Sequence, residues 1–129
     1  MGLNVDAQLD HEAFAADGHV LAADPDLNSK PCFIPEIVRV LKVEPQSPPY
    51  IFRTDGSRYP DKAGLSGWIP LVESGIQIHT LAPKEFISID IYSCRRFDIE
   101  PLKAFVRSYF SPRRMDEQFL ERGMDYHKA

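Results

Sequence analysis

The chain has 129 residues, of which 43% are hydrophobic and 26% charged, which excludes a disordered or fibrous class and predicts a single domain, residues 1–129, with a modest core. A formal charge of −4 gives no basic footprint, which argues against nucleic acid and anionic membrane surfaces as partners and favours small molecules or proteins. No apolar run approaches the roughly 18 residues of a membrane span and the only cysteines are Cys32 and Cys94, so we expect a cytoplasmic protein with reduced thiols.

The first third of the chain combines a polar start with one helical pattern. Residues 1–17 are acidic with scattered alanines, and we expect a loose arm there. GHVLAAD at 18–24 is a candidate first strand, and the turn-rich DPDLNSKP ends it. Pro35 then suits a first helical turn, and prolines from Pro45 onward end the helix. Its apolar stripe has the spacing of an amphipathic helix and comprises Ile34, Ile37, Val38 and Leu41.

Strands are predicted through the middle of the chain. YIFRT at 50–54 is the first, and a loop rich in Gly, Pro, Asp and Ser follows it. Three further strand-like runs come close together: SGWIPLVE at 66–73, IQIHT at 76–80 and EFISIDIYSC at 85–94. The last run alternates cleanly, with isoleucines on one face and mostly polar residues on the other.

A second helix is predicted in FDIEPLKAFVRSYF, with Asp98 or Glu100 as its N-cap and Pro101 in its first turn. The following RRMDEQFLERG is ambiguous between a strand and a helix. Because short connections favour antiparallel pairing, we predict an α+β fold, a two-layer sandwich of an antiparallel sheet with helices packed on one face. The other face, with Trp68 and Tyr92, would be covered by a second sheet or subunit, which predicts an oligomer.

The stretch VESGIQIHT, residues 72–80, carries a candidate self-cleavage chemistry. The Ser74 hydroxyl lies next to the Glu73 carbonyl carbon, and intramolecular attack on it would shift the acyl group from nitrogen to oxygen. Gly75 tolerates the strained backbone that such attack requires. His79 is a plausible base for the elimination that would follow. An ordinary Glu-Ser-Gly turn and a structural histidine explain the same residues, so the motif alone leaves both interpretations open.

The chain resembles the short prokaryotic branch of the S-adenosylmethionine decarboxylase family, whose members are self-processing and pyruvoyl-dependent. The resemblance runs through LSGWIPLVESGIQIHT and FISIDIYSCRRFDIEPLKAF, about residues 65–105. Four positions reproduce the family's spacing without a gap: Ser66, Ser74, His79 and Cys94. The resemblance implies a decarboxylase of polyamine biosynthesis that assembles as a homodimer of processed protomers.

The resemblance also implies how the chain would be cut. Cleavage between Glu73 and Ser74 would give a beta chain, 1–73, and an alpha chain, 74–129, that begins with a covalent pyruvoyl group made from Ser74. Glu73 would be needed as the residue before the cut rather than as an acid.

Three further roles follow from the same resemblance. His79 would be the base for the elimination, and Ser66 would assist by hydrogen bonding near the ester. Cys94 would reprotonate the product carbon after the pyruvoyl carbonyl, joined to the substrate amine as a Schiff base, has accepted the electrons released with carbon dioxide.

The substrate-binding positions depart from the family pattern. Family members follow the histidine with Thr-Trp-Pro-Glu, whose glutamate holds the ribose hydroxyls, whereas this chain has HTLAPKEF with Pro83 at that position. Glu85 lies two residues later and is a candidate substitute. Tyr59 matches the aromatic residue that stacks on adenine only with a shift of one position.

Such departures leave the substrate open. S-adenosylmethionine is the default, and ornithine or arginine is the alternative, with Asp90, Glu85 or Asp61 receiving the distal cation. Asp90 also fits a structural, hydrogen-bonded carboxylate. Two alternatives to an enzyme also stay open. One is an inactive regulatory paralogue that binds an active partner, and the other is a binding module unrelated to the family.

Overall fold

The computed structural model describes residues 1–9, 33–123 and 125. Its elements in chain order are β1 (Gly2–Gln8), α1 (Phe33–Leu41), β2 (Tyr50–Thr54), β3 (Gly64–Leu71), β4 (Ser74–Leu81), a 3-10 turn (Ala82–Lys84), β5 (Phe86–Ser93), α2 (Ile99–Phe110) and β6 (Arg114–Leu120). Within those described residues no helix is long and apolar enough to cross a membrane. The candidate strand GHVLAAD and Cys32 lie outside the described residues.

One antiparallel sheet of six strands, in the order β2-β3-β4-β5-β1-β6, organises the fold. Strand β1 lies between β5 and β6, so the loose arm expected at the start of the chain is wrong for these residues. The physical reason is the alternation within LNVDAQ, where Leu3, Val5 and Ala7 are buried between polar neighbours. The polar side chains between them face away from the core. Their polarity made this interior strand look like a loose arm in the sequence.

Both helices pack on one face of the sheet, which confirms the predicted two-layer α+β arrangement. The alternation predicted for β5 is also confirmed, because its three isoleucines are buried. Helix α1 joins α2 through Phe33, whose ring lies 5.6 Å from Phe105, 5.1 Å from Tyr109 and 4.8 Å from Phe110, centroid to centroid. The aromatic cluster of these four residues closes the core above the sheet.

The ambiguous segment after α2 is strand β6, the edge strand beside β1. It also binds α2, because Lys103 contacts the Glu117 carboxylate at 2.6 Å, and this hydrogen bond raises the pKa of the Lys103 ammonium. Asp98 occupies the N-cap position of α2 but makes no side-chain capping hydrogen bond. The helix therefore starts without the capping bond that the sequence suggested.

The side of the sheet away from the helices, which we call the open face, carries exposed aromatic side chains. Trp68 is 50% exposed, Phe52 66% and Tyr92 38%. Tyr50 stacks on Trp68 with ring centroids 5.6 Å apart. No other layer of the described chain covers this face, and the candidate site lies on it and at its edge.

Candidate functional site

The turn between β3 and β4 contains only Val72 and Glu73, because Leu71 and Ser74 are paired across the two strands. Ser74 has a backbone φ of +155°, a conformation that residues with a side chain rarely adopt. The residue whose hydroxyl was predicted to attack therefore has a strained backbone.

The Glu73 carbonyl oxygen accepts a hydrogen bond of 2.8 Å from the Cys94 backbone N–H. Cys94 directly follows β5, the strand that pairs with β4. A donor fixed at this distance stabilises negative charge on a carbonyl oxygen when a nucleophile adds to its carbon. The Cys94 thiol itself is exposed.

The same turn is tied to the segment after α1. Val72 N–H donates to the Glu44 carbonyl at 2.8 Å, and Glu44 N–H donates to the Glu73 carboxylate at 3.1 Å. Both bonds hold the turn from the side opposite Cys94. The side chain of Glu73 thus anchors the peptide that follows it.

Ser66 and His79 form a separate pair on the open face. They lie opposite each other on β3 and β4, and the Ser66 hydroxyl and the His79 Nδ1 share a hydrogen bond of 2.7 Å. Five residues of strand, at about 3.3 Å each, separate His79 from Ser74 by about 16 Å. Proximity in sequence therefore does not place the histidine beside Ser74 within one chain.

The predicted substrate-binding residues divide between the two ends of the strands. Glu85 follows the 3-10 turn that joins β4 to β5, at the end of the sheet nearer His79. Tyr59 lies in the loop before β3, and that loop is held to the same end by the hydrogen bond from Ala82 N–H to the Ala63 carbonyl, 2.8 Å. Neither lies near Ser74 in the same chain.

Asp90 lies nearer to Ser74, on the open face of β5. Its carboxylate accepts a hydrogen bond of 2.7 Å from the Asn4 side-chain amide. A depression of about 360 Å³ includes Asp90 and Ser74, and Trp68 and Tyr92 line it as well. Aromatic rings around a carboxylate form a suitable environment for an organic cation.

Two residues beside this depression were not found from the sequence. Asn4 orients Asp90, and the Arg122 guanidinium lies 4.0 Å from the centroid of the Tyr92 ring. Asn4 belongs to the strand that was mistaken for an arm, and Arg122 carries no local motif. Alternation in β1 was the one signal that could have placed Asn4 on the open face.

The described residues contain no group of three or more His, Cys, Asp or Glu side chains able to hold a metal ion. The arrangement instead offers a strained peptide at Ser74, a hydrogen-bond donor on its carbonyl and, further along the sheet, a serine–histidine pair. These are the components of acyl-transfer and proton-transfer chemistry.

Comparison with known proteins shows which family the chain belongs to. The family model described as S-adenosylmethionine decarboxylase matches residues 34–123, well over half of the chain. The chain belongs to the S-adenosylmethionine decarboxylase family. Membership of this family confirms the resemblance predicted from the sequence and supports the prediction that the chain is a decarboxylase.

A solved structure agrees at the level of the fold. The crystal structure of the adenosylmethionine decarboxylase from Aquifex aeolicus VF5 superposes with a TM-score of 0.63 at 20% identity, covering 96% of this chain and 92% of that one. None of the curated proteins compared with the chain matches it. The α+β fold of the S-adenosylmethionine decarboxylase family is thereby confirmed.

Proposed function

We propose that the chain is a self-cleaving, pyruvoyl-dependent S-adenosylmethionine decarboxylase of polyamine biosynthesis. The observation that supports this best is the geometry around the Glu73–Ser74 peptide. The carbonyl on one side of that bond is hydrogen bonded by Cys94 N–H at 2.8 Å, and the residue on the other side has a φ of +155°. An ordinary turn requires neither feature.

The first step of cleavage is an acyl shift at this peptide. The Ser74 hydroxyl oxygen adds to the Glu73 carbonyl carbon, and the carbonyl oxygen takes up negative charge that the Cys94 N–H stabilises. The carbon–nitrogen bond then breaks, the Ser74 nitrogen takes a proton, and the carbonyl forms again. Glu73 is now joined to Ser74 by an ester, and the backbone strain at Ser74 is released.

The second step is elimination. A base removes the α-hydrogen of residue 74, the Cβ–Oγ bond breaks, and Glu73 leaves as a carboxylate. The dehydroalanine that remains rearranges to an imine, and water releases its nitrogen as ammonia to leave a pyruvoyl group. We assign the base to His79, whose Nδ1 is hydrogen bonded to Ser66.

If His79 is the base, it must come from a second copy of the chain. Within one chain about 16 Å of strand lies between His79 and Ser74. Because antiparallel strands place the two groups at opposite ends of one sheet, a second copy facing it in the reverse direction would bring its Ser66–His79 pair towards Ser74. We therefore propose a homodimer in which the open faces meet, with the exposed Trp68 and Phe52 buried between them.

The residues around Ser74 suit the group that cleavage would make. A pyruvoyl carbonyl supplies an electron sink for the pair left when carbon dioxide departs from an α-amino acid. Trp68 and Tyr92 would bind the cationic part of the substrate and exclude water, and Asp90 would orient it. The exposed Cys94 thiol would return a proton to the product carbon.

A second candidate substrate class is favoured by one observation. Asp90 offers a carboxylate in the depression beside Ser74, and Pro83 stands at the position where the family has its ribose-binding glutamate. A carboxylate at that position would bind the distal amine or guanidinium of ornithine or arginine. We retain these two substrates as the alternative.

Intact-mass spectrometry of the purified protein, beside a Ser74→Ala control, tests the proposal. We expect two fragments, one ending at Glu73 and one beginning with a pyruvoyl group, and an unbroken control. Release of carbon dioxide from S-adenosylmethionine, ornithine and arginine, assayed separately, then identifies the substrate. An unbroken wild-type chain would refute self-cleavage and favour the regulatory paralogue.

A further inference from the structure

Ser93 is a buried polar residue whose hydroxyl has a specific use. It is the last residue of β5 and is 2% exposed. Its Oγ accepts a hydrogen bond of 3.0 Å from the Arg95 backbone N–H, two residues further along the chain. A serine that bonds the main chain in this way stabilises a tight turn.

The turn lies directly against the peptide proposed to be cut. Ser93 pairs with Ser74 across β5 and β4, and on its other side its N–H donates to the Met1 carbonyl at 2.9 Å. The strand is therefore fixed from both sides up to Ser93 and turns immediately afterwards. Cys94, the middle residue of the turn, directs its N–H to the Glu73 carbonyl.

The far side of the turn is anchored as well. The Arg95 guanidinium donates to the Lys42 carbonyl at 2.6 Å, just past the end of α1. Two residues later, Glu44 forms the two hydrogen bonds that hold Val72 and Glu73. The hydrogen-bond donor and the carbonyl that accepts it are thus attached to the same short segment after α1.

We propose that Ser93 is a positioning residue for self-cleavage: its hydroxyl holds the turn that directs the Cys94 N–H at the Glu73 carbonyl. This inference rests on the proposed function, since it assigns a role in the acyl shift. The hydrogen bond made by the Ser93 hydroxyl is to the Arg95 N–H, not to the attacking Ser74 hydroxyl. It acts on the reaction through Cys94.

Cleavage of freshly synthesised protein, followed in time by intact mass, tests this role. We expect Ser93→Ala to slow cleavage about ten-fold, because loss of an oxyanion donor costs about 100- to 1,000-fold and this change loosens the donor without removing it. Ser93→Thr keeps the hydroxyl and should restore a rate within about twofold of wild type.

A matched control separates positioning from lost stability. Thr80 is also a buried residue whose hydroxyl accepts one backbone N–H, that of Leu65 at 2.9 Å, and it lies at the other end of β4 from the cut. Thr80→Val removes a comparable hydrogen bond, so we expect a similar loss of stability with no slowing of the acyl shift. Because Thr80 adjoins His79, any slower cleavage of this variant would come from elimination and would leave an ester that hydroxylamine cuts. Equal slowing of the acyl shift by Thr80→Val and Ser93→Ala would overturn the inference.

Hydroxylamine identifies the step that is slowed, because it cuts esters much faster than amides. If Ser93 serves the acyl shift, the Ser93→Ala chain accumulates no ester, and hydroxylamine does not accelerate its cleavage. Rapid cleavage on addition of hydroxylamine would place the defect in elimination and overturn the assignment.

The outcomes for the two proposals are distinct. An unbroken wild-type chain refutes self-cleavage itself. A wild-type chain that cleaves at the same rate as Ser93→Ala leaves self-cleavage standing and refutes only the role of Ser93.

Discussion

Cys94 presents two chemical groups with separate roles. Its backbone N–H contacts the Glu73 carbonyl, and its thiol is exposed. The N–H belongs to the main chain, so substitution of the side chain retains it. Formation of the pyruvoyl group should therefore tolerate a change of side chain that the later decarboxylation does not.

We expect Cys94→Ala to cleave at close to the wild-type rate but to decarboxylate about 100-fold or more slowly, since a positioned proton donor typically contributes about 100- to 10,000-fold. Intact mass measures cleavage, and carbon dioxide release measures turnover of the cleaved protein. A Cys94→Ala chain that is cut and fully active would refute the role of the thiol.

Gly64 is a second position where one residue decides the local structure. Its φ is +156°, and a Cβ built there would overlap the Thr80 carbonyl oxygen on the neighbouring strand. We expect Gly64→Ala to lower the free energy of unfolding by about 3 kcal/mol, from strain and overpacking together.

Urea unfolding in the uncut Ser74→Ala background measures this effect. Gly2→Ala is the control, because a Cβ at Gly2 meets its nearest atom at an ordinary 3.7 Å. Equal stability of the two variants would show that β3 moves away from β4 at little cost.

At the level of elements, the aromatic cluster joins the two helices. Phe33 begins α1, is fully buried, and contacts three rings of α2. The end of α1 leads to the Lys42 and Glu44 hydrogen bonds around the Glu73–Ser74 peptide. The stability of the helix layer and the geometry of the site are therefore linked through α1.

We expect Phe33→Ala to cost about 3–5 kcal/mol of unfolding free energy, the usual range for removing a buried aromatic ring. Phe119→Ala, on the edge strand and 41% exposed, should cost about 1 kcal/mol or less. Urea unfolding of both in the Ser74→Ala background, at one protein concentration, gives the comparison. A similar loss in both would contradict a special role for the cluster.

The elements differ in how well the sequence predicts them, for physical reasons. Strand β5 and both helices carry strong periodic patterns of large apolar residues, and these predictions are confirmed. Strand β1 alternates Leu, Val and Ala with Asn, Asp and Gln, which lowers its hydrophobic signal although it lies inside the sheet. Strand β6 is an edge strand, so half of its pattern is exposed and a helix fits equally well.

For the candidate site, the sequence predicts which residues take part but not which of them lie close together. The family's spacing predicted Ser66, Ser74, His79 and Cys94 as site residues, but spacing along a strand does not determine which groups meet in space. His79 faces Ser66 because strand register pairs them, and the Cys94 N–H meets Glu73 because β5 ends beside the turn. Both facts depend on pairing between distant segments, which a single sequence does not display.

At the scale of the whole molecule, the chemical groups that the proposed self-cleavage needs lie apart along the sheet. Ser74 and the Cys94 N–H lie at one end of the strands, and the Ser66–His79 pair lies towards the other. If the open faces of two copies meet in reverse orientation, each cleavage site receives its base from its partner. Two chains with different defects should then complement each other in a mixed dimer.

We expect co-expression of His79→Ala and Ser74→Ala chains, made distinguishable by mass, to yield cleaved His79→Ala chain. Each variant alone should stay uncut, because one lacks the base and the other the nucleophile. In a mixed pair, the intact Ser74 of the His79→Ala chain meets the intact His79 of its partner. A chain carrying both substitutions supplies neither group, so pairing it with the His79→Ala chain should give no cleavage. If the His79→Ala chain stays whole with either partner, the base is not shared between copies and the proposed dimer is wrong.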